Sequence, residues 1–129
     1  MNNYVVDAWA WVEYLIGSKR GEQLRRILDE EDNEVYTCTI TIAEVVGKAA
    51  REKQDVEAAY TTLVDNSQIV NINEELSKQA GLLHAEVRQI ERDFSITDAY
   101  VLAAARKLGA RILTGDAHFK NLKEAVFIE

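Results

Sequence analysis

The stretch "SITDAYVLAAARKLGARILTGD", from Ser95 to Asp116, has the pattern of a helix followed by a strand. Apolar residues fill a helix from about Thr97 to Leu108, a Gly-Ala step interrupts the pattern, and "RILT" follows as a short apolar strand. The unit opens and closes on an aspartate, although a buried carboxylate is costly unless it is paired, hydrogen-bonded or bound to a metal. The roles of Asp98 and Asp116 are therefore the first question that this sequence raises.

Strands and helices alternate along the rest of the chain. The apolar runs "NYVV", "EVYTCT", "QIVNI", "RILT" and "AVFI" are typical of buried strands. The helices predicted between them cover residues 8–17, 18–31, 41–54, 55–66, 73–92 and 97–108, with Asp55 and Asn73 as caps. This alternation predicts an α/β fold in which helices cover both faces of a mainly parallel sheet of four or five strands.

The composition is that of one globular domain, and we expect a single domain over residues 1–129 because no linker or repeat interrupts the chain. One cysteine excludes an intrachain disulfide and a Cys-rich zinc site. The net charge of −7 argues against nucleic-acid binding by the whole surface, but it suits a site for divalent cations.

The N-terminal apolar run does not have the pattern of a signal peptide. Asp7 and Glu13 interrupt it, and no basic residues precede it. No window approaches the roughly 20 apolar residues of a membrane span. We therefore expect a cytoplasmic protein without a membrane partner.

Four acids are predicted to meet at one edge of the sheet. A helix from Asp98 to Leu108 spans roughly 15 Å, and "RILT" returns roughly 13 Å, so Asp98 and Asp116 should lie on the same edge. Asp7 ends the first strand, and Glu44 lies in the first turn of the helix after "EVYTCT". All four therefore belong to the carboxyl edge, where open α/β sheets bind their ligands.

Each acid also has a local explanation. "TIAE" (Thr41 to Glu44) matches a capping box, and "SITD" is a looser version of it. Asp7 is placed to cap a helix, and Asp116 lies in a turn. Together, however, four converging carboxylates repel one another and favour cation binding. Oxygen ligands favour Mg²⁺ or Mn²⁺, and two such ions about 3.5–4 Å apart activate water against a phosphodiester.

In these motifs the chain resembles the PIN domain family of metal-dependent ribonucleases, which includes VapC-type toxins. The matching motifs, in order, are the first strand ending in Asp7, "IAEVVGKA" around Glu44, "TDAYVLAAARKLGARILTGD" with Asp98, and "TGDAHF" with Asp116. The resemblance implies that these four acids are catalytic and bind the metal. It also implies a PIN-like three-layer α/β/α sandwich.

The resemblance extends to the neighbours of the acids. Thr114 matches a family hydroxyl residue and implies a hydrogen bond that orients a metal-binding acid. Trp9 departs from the family, which often has a small polar residue two positions after the first Asp.

The function implied is hydrolysis of RNA phosphodiester bonds by a two-metal-type endoribonuclease, the toxin of a type II toxin–antitoxin system. An antitoxin partner follows from this, and we expect its tail to send an Arg or Lys toward the acids. The abundance of large aromatic residues favours a homodimer or a higher homo-oligomer. The alternative is a PIN-like RNA- or protein-binding subunit with little or no nuclease turnover.

Three further residues are candidates for substrate binding. Lys48 and Arg51 follow Glu44 by four and seven positions and share its helix face. A Glu44–Lys48 surface pair is the equally supported alternative. His118 lies two residues past Asp116.

Other residues favour structural roles. The aromatic cluster near the N-terminus, formed by Trp9, Trp11 and Tyr14, is expected in the core or in an interface between subunits. His84, on a largely apolar helix face, is also predicted to be structural.

Overall fold

A central sheet of five parallel strands organises the computed structural model, which describes residues 2–128. The strand order is β3-β2-β1-β4-β5, and every neighbouring pair is parallel. The elements are β1 (Asn2–Val6), α1 (Ala8–Leu15), α2 (Gly21–Asp29), β2 (Asn33–Cys38), α3 (Thr39–Arg51), α4 (Val56–Asn66), β3 (Gln68–Val70), α5 (Glu74–Val87), α6 (Ile96–Leu108), β4 (Arg111–Thr114), a 3-10 helix (Ala117–Phe119) and β5 (Ala125–Phe127).

Helices cover both faces of the sheet, which confirms the predicted three-layer α/β/α fold. Residues of α5 and α6 pack on one face, against Val5 and Ile112. Residues of α1 to α4 pack on the other face, against Val6 and Leu113. Successive strand residues point to opposite faces. The neighbouring residues Val5 and Val6, and likewise Ile112 and Leu113, are therefore all fully buried, as expected for a parallel sheet covered on both faces.

The largest departure from the predicted elements is the end of α5. It stops at Val87 rather than near Arg92, and Ile90, expected on its apolar face, is 76% exposed. The chain turns there, and Phe94 becomes buried against Phe119 in an edge-to-face contact with ring centroids 5.6 Å apart. Burial of this aromatic pair outweighs the extra helical turn that the apolar pattern favours.

Two helix starts also differ from the prediction. The second helix begins at Gly21 rather than Ser18, because the Ser18 side chain accepts a hydrogen bond from the Gly21 N–H in a preceding turn. The third helix begins at Thr39 rather than Thr41, directly after β2. None of the helices formed by residues 2–128 has both the length and the apolar character that a membrane span requires.

Candidate active site

The carboxyl edge of the sheet brings Asp7, Asp98 and Asp116 together. β1 and β4 are neighbours with Val6 in register with Leu113, and the Asp7 N–H donates to the Leu113 carbonyl at 3.3 Å. Asp7 therefore follows β1 beside the end of β4, and Asp116 lies two residues beyond that end. Asp98 reaches the same edge from the first turn of α6.

Asp7 is the most buried of these acids, with only 5% of its surface exposed. Its Oδ1 caps α1 by accepting from the Ala10 N–H at 2.9 Å, and its Oδ2 accepts a short hydrogen bond from the Thr114 hydroxyl. Burial raises the pKa of Asp7 to about 7, and the negative charges of Asp116 and Asp98 add to this rise. The two hydrogen bonds only partly offset the effect of burial, so the ionised form of Asp7 is destabilised in the folded protein.

Thr114 connects the two strands at the site. Its fully buried hydroxyl donates to Asp7 and accepts from the backbone N–H of Asp116 at 2.9 Å. One side chain therefore fixes the orientation of the first acid and the path of the loop that carries the last. This contact has the form that the family resemblance implies.

The local explanations for Asp98 and Asp116 are also correct. Ser95 and Asp98 form a complete capping box, in which the Asp98 Oδ2 accepts from the Ser95 N–H at 2.9 Å. Asp116 caps the 3-10 helix by accepting from the His118 N–H at 2.9 Å. Capping and convergence are compatible, because the same hydrogen bonds that cap the helices also hold the carboxylates in place.

His118 lies between these two acids. Its Nδ1 is 3.1 Å from the Asp98 Oδ2 and 3.4 Å from the Asp116 Oδ1. The partial burial of the ring lowers the pKa of His118, but the charges of Asp116 and Asp98 outweigh this effect and raise the pKa overall. The two carboxylates therefore stabilise the charged form of the imidazole.

Glu44 lies at the rim of the cluster and is exposed. It occupies the second turn of α3, not the first, because the helix starts earlier than predicted. The "TIAE" capping box does not form, since the cap position is Cys38 and makes no side-chain hydrogen bond. Partial desolvation raises the pKa of Glu44, and the charges of Asp98 and Asp116 raise it further, against the effect of the Thr97 hydroxyl.

A cavity of about 640 Å³ lies beside the acids. Its lining includes Glu44, Asp116, Lys48 and Arg51. The predicted alternative, a Glu44–Lys48 pair, is wrong: the Lys48 Nζ is 2.6 Å from the Glu52 Oε2, one turn further along α3. Arg51 is exposed and forms no ion pair with any residue from 2 to 128.

The two tryptophans have different surroundings. Trp11 is fully buried, donates from Nε1 to the Thr37 hydroxyl at 3.0 Å and packs edge-on against Tyr14, so its predicted core position is correct. Trp9 is only partly buried and lines the cavity beside the acids. Its ring covers Gly115 so closely that a Cβ at that glycine would overlap the indole. Trp9 therefore forms a wall of the site, which differs from the core or interface position favoured for it from the sequence.

The two histidines also have different surroundings. The His84 Nε2 lies 3.0 Å from the Phe94 carbonyl oxygen, the structural position predicted for it. The contact of His118 with substrate stays a prediction, and the structure places its ring against Asp98 and Asp116. The sequence spacing of two residues from Asp116 was the only signal, and it did not indicate that the 3-10 helix turns the ring toward Asp98.

Comparisons with known proteins agree with this fold. The PIN domain family matches residues 4–125. Ribonuclease VapC11 of Mycobacterium tuberculosis is 30% identical, over 95% of this chain and 98% of its own length. A toxin–antitoxin complex from Klebsiella pneumoniae contains a chain with 20% identity and a TM-score of 0.76, with 98% of each chain covered. VapC20 of M. tuberculosis, described as a Sarcin-Ricin loop cleaving toxin, has 22% identity and a TM-score of 0.75, over 93% of this chain and 95% of its own.

Proposed function

The chain belongs to the PIN domain family, and from this premise we propose that it is a metal-dependent endoribonuclease, the toxin of a type II toxin–antitoxin system. The observation that carries the proposal is the meeting of Asp7, Asp98 and Asp116 at the sheet edge, with Glu44 at the rim of the same cavity. The relative VapC11, which is 30% identical to this chain, is named a ribonuclease.

The residues at this edge fit divalent cations. Donor atoms of Asp98, Asp116 and His118 lie within 4.8 Å of one another. Asp7 is buried with a pKa raised to about 7, so a cation beside it would stabilise its ionised form. Carboxylate oxygens favour Mg²⁺ or Mn²⁺ over softer metals, so we propose that Asp7, Glu44, Asp98 and Asp116 together bind Mg²⁺ or Mn²⁺.

Ions held by these residues would polarise a phosphodiester and lower the pKa of a bound water, which is the chemistry of the two-metal mechanism that we propose. The chain's own residues prepare that chemistry. Thr114 and the Ala10 N–H fix both oxygens of Asp7, and the capping box fixes Asp98. The carboxylates are therefore already oriented before substrate arrives, which avoids the cost of reorganising them during the reaction.

The cavity beside the acids suits an RNA strand. Lys48 and Arg51 line it on the α3 side, and Trp9 lines it on the α1 side. Arginine and lysine neutralise phosphates, while an aromatic face accepts an unpaired base. We therefore assign Lys48 and Arg51 to phosphate contacts. We also propose that the protein acts in the cytoplasm, where RNA is available as a substrate.

A nuclease of this kind needs an inhibitor, and we propose an antitoxin whose tail lies beside Glu44 and Lys48. An apolar cavity of about 390 Å³ continues from this region between α1, α3 and α4, lined by Val12, Leu15 and Val45 among others. Apolar side chains of the tail suit this cavity, and an Arg or Lys suits the acids because a guanidinium pairs with two carboxylates. The structural relative from Klebsiella pneumoniae is itself a toxin–antitoxin complex.

Self-association belongs to the same proposal. Several large apolar side chains are exposed among the described residues, including Leu82, Ile90 and Ile96. Such residues favour interfaces, and a two-fold homodimer is the commonest arrangement. Light scattering at high micromolar concentration should give a mass above the 14.6 kDa of one chain. A monomer at that concentration contradicts this part of the proposal.

Cleavage of single-stranded RNA tests the function. The wild type should cut RNA with Mg²⁺ or Mn²⁺ and stop in chelator, and Asp98→Asn should reduce cutting to background with its circular dichroism unchanged. Asp65→Asn, on the exposed side of α4, is the matched control and should cut normally. Cutting by Asp98→Asn at the wild-type rate contradicts the assignment. RNA binding without cutting by the wild type favours the alternative, a binding subunit.

A further inference from the structure

His118 is held in a fixed position between two acids. Its own backbone N–H donates to the Asp116 Oδ1 at 2.9 Å, which closes the 3-10 helix. The next residue, Phe119, is fully buried against Phe94 and anchors that helix in the core. On the other side, the capping box with Ser95 fixes the carboxylate of Asp98. The imidazole and both carboxylates are therefore placed by the fold rather than by chance contact at a surface.

The spacing of the three donor atoms matches that of metal ligands. Neighbouring ligands of an octahedral ion at about 2.1 Å lie about 3.0 Å apart, and opposite ligands about 4.2 Å. The His118 Nδ1 is 3.1 Å from the Asp98 Oδ2 and 3.4 Å from the Asp116 Oδ1. One possible ligand atom from each of the three residues lies within 4.8 Å of the other two. The three side chains are therefore close enough together for one ion to contact all of them.

We propose that His118 is a metal ligand through Nδ1, beside Asp98 and Asp116. The proposal rests on the metal-dependent function proposed above and adds a nitrogen donor to its four acids. A neutral imidazole with its proton on Nε2 would offer the Nδ1 lone pair to the ion. The ring nitrogen then completes a mixed nitrogen and oxygen donor set.

A mixed donor set has a consequence for metal choice. Imidazole suits transition metals, whereas Mg²⁺ prefers oxygen ligands and its own water. His118 therefore biases the site toward Mn²⁺ over Mg²⁺. Removing the ring should cost Mn²⁺ affinity more than Mg²⁺ affinity. Loss of a residue that only hydrogen-bonds to a metal ligand already lowers metal affinity by roughly tenfold or more. Loss of a ligand itself should therefore lower the Mn²⁺ affinity by at least about tenfold.

Electron spin-echo spectroscopy of bound Mn²⁺ tests the ligand directly. The chain has only two histidines, His84 and His118, so an imidazole nitrogen coupled to Mn²⁺ comes from one of them. The wild type should show this coupling, and it should change when the histidines carry ¹⁵N. His118→Ala should lose the coupling, while His84→Ala, which removes the ring bonded to the Phe94 carbonyl, should keep it.

The same samples give Mn²⁺ and Mg²⁺ affinities by calorimetry. His118→Asn, which keeps an oxygen at this position, serves as a second variant if the alanine variant does not fold. It should bind Mn²⁺ without imidazole coupling and with a reduced preference for Mn²⁺. Binding of Mn²⁺ by the wild type without nitrogen coupling overturns the role of His118 and leaves the four acids in place. Absence of any Mn²⁺ or Mg²⁺ binding overturns the proposed metal dependence as well.

Discussion

Replacing Asp7 with asparagine should stabilise the metal-free protein, and the gain should grow as the pH rises. Asp7 is buried beside two other acids, and its pKa is raised from 3.8 to about 7 in the folded protein. Between these values the folded protein holds a proton that the unfolded chain has already released. Raising the pH therefore removes a proton from the folded state alone, and the free energy of unfolding falls.

The size of the effect follows from the shift. One pKa unit corresponds to about 1.4 kcal/mol, so a fully ionised Asp7 costs the folded state about 4 kcal/mol. About 2.5 kcal/mol of this cost develops between roughly pH 5 and pH 8. An asparagine carries no charge and keeps an oxygen for the Ala10 N–H, while the Thr114 hydroxyl can accept from the new amide. The variant should therefore lack this part of the pH dependence.

Urea unfolding in chelator at about pH 5, 6.5 and 8 measures the difference between the two proteins. The difference reports on Asp7 and on its coupling to Asp98 and Asp116, because the other acids titrate in both proteins. Asp65→Asn, which removes an exposed acid, is the control and should follow the wild type at each pH. A difference between wild type and Asp7→Asn that stays constant from pH 5 to pH 8 refutes the reasoning, because it means that Asp7 ionises in the folded protein as easily as in the unfolded chain.

Three other changes test the surroundings of the site. Gly115→Ala places a Cβ in the Trp9 ring and should lower the free energy of unfolding in urea by about 1–3 kcal/mol. In Gly81→Ala the new Cβ meets no other atom, so this control should raise the free energy of unfolding by roughly 0.5–1 kcal/mol. Equal effects of the two substitutions contradict the close contact between Trp9 and Gly115. Ser95→Ala removes the cap of α6 and should cost about 1 kcal/mol, with weaker Mn²⁺ binding because Asp98 is less constrained; unchanged stability argues against the capping box. Mg²⁺ at about 100 times its Kd should stabilise the wild type by about 2.7 kcal/mol and Asp98→Asn by less; equal shifts in the melting temperature contradict a shared metal site.

The sheet edge was predictable because it depends on chain direction alone. A strand, a helix of matching length and a second parallel strand return the chain to the same edge, so Asp98 and Asp116 had to meet there. Asp7 lies beside them because β1 pairs with β4. The apolar character of both strands made this pairing plausible, but it did not determine which strands are neighbours. The local capping patterns misled only at Glu44, where "TIAE" lies inside a helix that begins at Thr39.

The parts that escaped prediction depend on side-chain packing. Nothing in the pattern of α5 shows that burial of Phe94 ends the helix before Ile90. Lys48 likewise pairs with Glu52 and not with Glu44, although both acids lie four positions from it on the helix. The spacing alone therefore does not distinguish between these two partners. The position of His118 depends on a single turn of 3-10 helix, which is too short to have a periodic signal.

The contact between Thr114 and Asp7 joins residues that are 107 positions apart. During translation, a ribosome makes Asp7 and β1 long before it makes β4. A nascent chain that stops short of β4 has the first acid, but it lacks Thr114, Asp116 and the strand that pairs with β1 on that side. The centre is therefore assembled late in synthesis. For a proposed ribonuclease that is itself translated from RNA, this order separates the making of the enzyme from the onset of its activity.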